Sequence, residues 1–137
     1  VIHGGGWKKM EKIKISNQNF KNSLKKKFGI KNIHNYYGLI EQAGSIFMEC
    51  ECGNFICSIY SDIIIRDENL RVLKNNKKGF IQLLSLVPSS YPGNSILTED
   101  EGQILSKTCN CGRKGKKFQV HGRVPKAIIR GCSDIGI

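Results

Sequence analysis

The stretch Asn35-Tyr36-Tyr37-Gly38-Leu39-Ile40-Glu41 decides how the rest of the chain is read. It sets two aromatics, a glycine and a carboxylate within seven residues. A glycine lets a ligand approach the main chain closely. An aromatic ring offers a stacking face to a base, and a glutamate offers hard oxygen to a divalent cation. A strand end followed by a turn gives the same string, so the motif alone leaves both readings open.

Upstream, Val1-Ile2-His3 reads as a strand end running into Gly4-Gly5-Gly6-Trp7-Lys8-Lys9. Its free backbone amides and two lysines could cradle a nucleotide, or the segment could be a plain turn. Ser16 to Phe28 predicts a helix. Ser16 is placed as N-cap, Ile15 and Phe20 as a hydrophobic staple, and Phe20, Leu24 and Phe28 share one face. Lysines fill the last turn and Gly29 stops it. A short strand over Ile30–His34 then delivers the motif.

Downstream the text is mostly β. Phe55–Tyr60, Asp62–Arg66, Leu70–Leu73, Phe118–Val120 and Ala127–Ile129 are strand candidates. Phe80–Val87 is a nearly continuous apolar run, expected as a strand buried on both sides. Ser95–Thr98 reads as a short strand leading into Glu99-Asp100-Glu101-Gly102. The expected class is α/β in its α+β form: one amphipathic helix followed by a β meander.

The chain has 137 residues and a net charge of +11, unevenly spread. Residues 1–33 hold nine lysines against Glu11 alone, and residues 103–133 hold eight Lys or Arg and no acid. The lysines lack interleaved aromatics, which argues against single-strand nucleic-acid binding. No apolar run approaches the roughly eighteen residues of a membrane span, and no signal-peptide pattern is present. A soluble, cytoplasmic protein is expected. Because the sequence opens at Val1 in what reads as mid-strand, it also reads as a piece of a longer protein.

Six cysteines fall as Cys50-x-Cys52, Cys57, Cys109-x-Cys111 and a solitary Cys132. A β meander could bring the two pairs together, and four thiolates would complete a tetrahedral zinc site. Buried thiols or a redox pair are the alternatives, and one of the first five cysteines is spare. Cys132 sits in Arg130-Gly131-Cys132-Ser133-Asp134, where the arginine favours a thiolate and the glycine gives access. A structural cysteine at a strand end would fit as well.

Taken in order, these pieces resemble the C-terminal part of the large domain of acyl-adenylating enzymes. Within that superfamily the wording is closest to the acyl-protein synthetases (LuxE family). The carrying strings are His3-Gly4-Gly5-Gly6-Trp7-Lys8-Lys9, Tyr37 through Ser45, Gly122-Arg123-Val124-Pro125-Lys126 and Arg130 through Asp134. Phenylacetate-CoA ligases look next nearest and share the element Cys109-Asn110-Cys111-Gly112-Arg113, associated there with zinc.

The resemblance implies ATP-dependent activation of a fatty or other carboxylic acid as acyl-adenylate, and transfer of the acyl group to a thiol. Gly5, Gly6, Tyr37 and Gly38 would line the adenine pocket, and Glu41 would hold Mg2+. Asp100 would bind the ribose hydroxyls with Arg123 close by. Cys50, Cys57, Cys109 and Cys111 would bind Zn2+, with Cys52 spare, and Cys132 would accept the acyl group. An acyl-reductase protein is the implied partner.

Several positions depart from the superfamily pattern. Ile40 replaces a usual threonine, Glu99 a usual glycine, and Ile128 an expected acidic residue. The upstream phosphate loop is not in this sequence, so the piece alone is expected to be inactive. Rival readings are an acyl- or aryl-CoA ligase, a zinc-stabilised basic module that binds nucleic acid, and a degenerate remnant of the enzyme.

Overall fold

The computed structural model describes residues 1–107 and 109–124. Strand β1 (Ile2–Gly4) runs parallel to β2 (His34–Tyr37), and helix α1 (Asn17–Phe28) makes the crossover between them. A two-residue β3 (Phe47–Met48) pairs antiparallel with β2. A second, antiparallel sheet holds β4 (Phe55–Ile56), β5 (Ser61–Arg66), β6 (Gly79–Ser85), β7 (Ser95–Ile104) and β8 (Lys117–Arg123). Its spatial order is β4-β8-β7-β6-β5. The mixed α+β class expected from the sequence is the one found.

Helix α1 begins and ends where its caps dictate. Ser16 Oγ accepts from the Asn19 amide at 3.1 Å, and Gly29 closes the helix at φ 67°, its amide donating to the Lys25 carbonyl. Lys25, Lys26 and Lys27 meet the negative end of the helix dipole. Phe20 packs edge-on to His3, with ring centroids 4.9 Å apart, and also meets Trp7. Phe28, expected on the same covered face, is 63% exposed.

What pins α1 is polar. Glu49, 1% exposed, follows β3 and accepts from Asn17 Nδ2 at 2.6 Å, Lys21 Nζ at 2.5 Å and the Asn35 amide at 2.7 Å. A buried carboxylate persists only when paired and hydrogen-bonded in this way.

Several strands differ from their sequence reading. β2 starts at His34 rather than Ile30, so Tyr36 and Tyr37 belong to the strand itself. Leu70–Leu73 forms only an isolated bridge between Arg66 and Val72. β6 alternates: Ile81 and Leu83 are fully covered, while Phe80, Gln82 and Leu84 are half-covered. It is therefore one-faced, as an antiparallel strand can be. β7 runs for ten residues and carries Glu99-Asp100-Glu101 within it. Ala127–Ile129 lies outside the described residues.

The core gathers side chains from both sheets. Phe118 from the large sheet meets Phe47 from the small one and its own neighbour Phe55, and Ile63, Ile65, Ile81, Leu83 and Ile104 extend the cluster. Tyr37 packs against its edge and joins the sheets.

Candidate active site and metal centre

Three of the residues singled out in the sequence come together across three strands. Tyr37, at the end of β2, donates its hydroxyl to Asp100 Oδ2 at 2.7 Å. Arg123 stands directly opposite Asp100 in the β7–β8 register, with Nε 4.0 Å from Asp100 Oδ1 and an outer contact to Glu99. That register depends on a bulge. Gly102 pairs with Val120 and Glu101 with Gly122, so β8 carries one extra residue, and Gly122 adopts φ 131°. Without the extra residue, Gly122 rather than Arg123 would oppose Asp100. A bulge re-aims a side chain in this way, and glycine accepts the required backbone.

Tyr37 is more enclosed than a base-stacking residue needs to be. Its ring lies against Phe47, Phe55 and Phe118, with centroids 6.0–6.2 Å away. Burial and the adjacent Asp100 carboxylate push its phenol well above the usual tyrosine range, so it remains a hydrogen-bond donor. Thr98 completes the support: the Asp100 amide donates to Thr98 Oγ1 at 3.1 Å, and that hydroxyl donates to the Ile81 carbonyl at 2.8 Å. The sequence reading passed over Thr98. Its only signal was alternation with Asp100 on one face of the strand.

Gly4 pairs with Tyr36 across β1 and β2, and a Cβ on Gly4 would lie 2.4 Å from the Tyr36 ring. Gly5 (φ 87°) and Gly6 follow with nothing within 4 Å of where a side chain would stand. Gly38 passes the Ser45 carbonyl so closely that a Cβ would come within 3.1 Å. Glu41 lies on a 3-10 turn, Ile40–Gln42, with its carboxylate exposed while its neighbour Gln42 is fully buried. A single exposed carboxylate suits Mg2+, which keeps most of its waters and takes its other ligands from phosphate.

The cysteines form a second centre. β4 pairs with β8, which sets the turn between β3 and β4 beside the loop between β7 and β8. Cys50, Cys52, Cys109 and Cys111 converge there, every sulfur within 4.8 Å of the others. The two turns are copies of one another. Each reads Cys-x-Cys-Gly, with Gly53 at φ 77° and Gly112 at φ 69°. Arg113 clasps Glu51 at 2.6 Å across them.

The expected ligand set is corrected at one position. Cys57 lies in the apolar core, where burial pushes its thiol up to about 12, and Cys52 completes the cluster in its place. The repeated Cys-x-Cys-Gly, rather than spacing alone, was the signal that would have chosen Cys52. Cys132 and the residues from Pro125 onward lie outside the described residues.

The four thiols fit a soft divalent ion. Sulfurs about 2.3 Å from a tetrahedral zinc lie about 3.8 Å apart; Cys50 and Cys109 are separated by 3.8 Å, whereas Cys109 and Cys111 stand at 2.9 Å and would have to part to share an ion. Among themselves the thiols support little charge. A hydrogen bond from Cys111 holds Cys109 down to about 6, while the same contact pushes Cys111 up to about 11 and Cys109 pushes Cys52 up. A divalent cation would relieve that mutual repulsion and let all four ionise. A cleft of about 560 Å³ opens between α1 and the first turn, bordered by Lys21, Lys25, Lys31, Glu49 and Cys52. It lies beside the thiols, and neither Tyr37 nor Asp100 borders it.

Among the described residues no helix is long and apolar enough to cross a membrane. The fold is shared with several solved proteins. An anthranilate CoA ligase, AuaEII, solved with anthranoyl-AMP, superposes with TM-score 0.54 at 13% identity, over 74% of this chain and 21% of its own. MatB from Rhodopseudomonas palustris gives 0.58 at 15%, over 89% and 25%. A luciferase-like enzyme from the nonluminescent mealworm Zophobas morio gives 0.57 at 16%, over 93% and 31%. The chain thus spans between a fifth and a third of these proteins. No curated protein matches it by sequence. The family model of acyl-protein synthetases, LuxE, matches residues 1–136, and the chain belongs to the LuxE acyl-protein synthetase family.

Proposed function

We propose that this chain is the nucleotide-handling part of an ATP-dependent ligase that activates a carboxylic acid, of the fatty-acid type, and passes the acyl group to a cysteine thiol. The convergence of Tyr37, Asp100 and Arg123 from three strands, in a chain of this family, carries the reading. Asp100 would accept the ribose hydroxyls. Gly5, Gly6 and Gly38, with the edge of Tyr37, would border the adenine, and Arg123 would hold the ribose side of the site. Mg2+ held by Glu41 would neutralise phosphate charge as the acid's carboxylate attacks the α-phosphate and pyrophosphate leaves. Ile40 has no hydroxyl to offer those phosphates, so their remaining contacts must come from other groups.

In the second half-reaction a thiolate attacks the acyl carbon, the C–S bond forms, and the bond to AMP breaks with its electron pair on the phosphate oxygen. Cys132 is the proposed acceptor, and an acyl-reductase protein the proposed recipient of the thioester. The four-thiol centre, with Zn2+ as its proposed ion, would fix the two turns rather than take part in the chemistry.

Incubating the full-length protein with labelled long-chain fatty acid and ATP tests this. Hydroxylamine-labile label on the protein is expected, and Cys132→Ser should abolish it. Undiminished label in Cys132→Ser would remove Cys132 as the acceptor. The likeness to a CoA ligase favours a second acceptor, coenzyme A, which would show as CoA-dependent thioester in solution with no label on the protein.

A further inference from the structure

We propose that Tyr37 is a positioning residue whose hydroxyl sets the orientation of the Asp100 carboxylate for a ribose diol. The inference rests on the nucleotide reading above and deepens it.

The geometry leaves the Tyr37 hydroxyl little freedom. Three phenylalanines, Phe47, Phe55 and Phe118, enclose the ring from both sheets, so the hydroxyl cannot swing away from Asp100. Its partner is equally fixed. Thr98 anchors the Asp100 backbone, the β8 bulge places Arg123 opposite, and Arg123 lies on the Oδ1 side while Tyr37 occupies Oδ2. The side chain of Asp100 is 15% exposed, so one edge of it still reaches solvent.

An ionised carboxylate accepts about four hydrogen bonds. Tyr37 takes one, which leaves acceptor positions for two adjacent hydroxyls. Holding an acceptor in place before the ligand arrives spares the cost of ordering it on binding. The motif tyrosine in this chain therefore acts on the sugar through Asp100, in addition to any contact with the base. The sequence pattern gave no hint of this role, because the two residues are 63 positions apart.

Direct binding of ATP, 2′-deoxyATP and 3′-deoxyATP to the full-length protein, by titration calorimetry, tests the proposal. The wild type should prefer ATP. Tyr37→Phe removes one oxygen and keeps the ring packing. It should weaken ATP about tenfold, as loss of a hydrogen bond to a charged group does, and weaken the deoxy analogues less, so the preference shrinks. Asp100→Asn should lose the preference, and adding Tyr37→Phe to it should cost nothing further. A Tyr37→Phe protein with a lower Tm and an unchanged ratio of ATP to deoxyATP affinities would overturn the positioning role and leave the nucleotide reading standing. A folded wild type that binds none of the three would overturn both.

Discussion

Cys50 and Cys109 stand 59 residues apart in the chain and 3.8 Å apart at sulfur. The β4–β8 pairing is what brings them together, and Cys52 and Cys111 follow within the same two turns. Metal analysis should give about one zinc per chain, and Cys52→Ser should lose it as readily as Cys109→Ser. Cys57→Ser should keep the metal yet lose about 1–3 kcal/mol of stability, because a hydroxyl is buried among apolar groups. Metal retained in Cys52→Ser and lost in Cys57→Ser would reverse the assignment.

Cys57 also sets an alkaline limit. Its folded thiol is pushed up to about 12 by burial, above the 9.0 of an unperturbed cysteine. The folded state keeps the proton over that range while the unfolded state gives it up, so this contribution is complete below about pH 9 and is lost as pH rises toward about 12. Tyr37, shifted in the same direction, adds to the loss above about pH 10. Urea unfolding from pH 8 to 11 should show a falling stability, and Cys57→Val should flatten part of that slope. An equal slope in the variant would exclude Cys57 as a source.

Much of the scaffold was legible before the structure. Ser16 and Gly29 announce α1, while the strand expected at Ile30–His34 forms instead at His34–Tyr37. β7 was read short, as Ser95–Thr98, because three consecutive acids, Glu99-Asp100-Glu101, are uncommon inside a strand. The strand tolerates those acids because Glu99 faces solvent while Asp100 spends its charge on Tyr37 and Arg123. Cys57 was misplaced because nothing local distinguishes a thiol bound for a metal from one bound for a core. That choice is made by the apolar cluster that Cys57 shares with Phe55 and Phe118, which the β4–β8 pairing brings together.

Glu49 is the anchor of α1. Glu49→Gln would leave Lys21, whose side chain is 12% exposed, without its counter-charge, at a cost of about 3–5 kcal/mol. Adding Lys21→Met should recover a large part of that loss, since the orphaned charge is removed. Denaturant titration of the two single variants and the double variant decides it, and strictly additive losses would exclude the coupling.

Gly102 lies on β7 opposite the β8 bulge that aligns Asp100. A Cβ there would lie 2.4 Å from the Gln119 carbonyl and 2.7 Å from Ile81 Cδ1. Gly102→Ala should therefore cost about 2 kcal/mol and displace the β7–β8 register, weakening nucleotide binding along with stability. Full stability and unchanged ATP affinity in that variant would show that the strand has room the structure does not indicate.

The central claim, acyl-adenylate formation on this site, is tested most directly by exchange of labelled pyrophosphate into ATP on the full-length protein. The account predicts exchange that depends on added fatty acid and persists in Cys132→Ser, because adenylate formation precedes attack by the thiol. A folded protein that binds ATP and shows no acid-dependent exchange would contradict it.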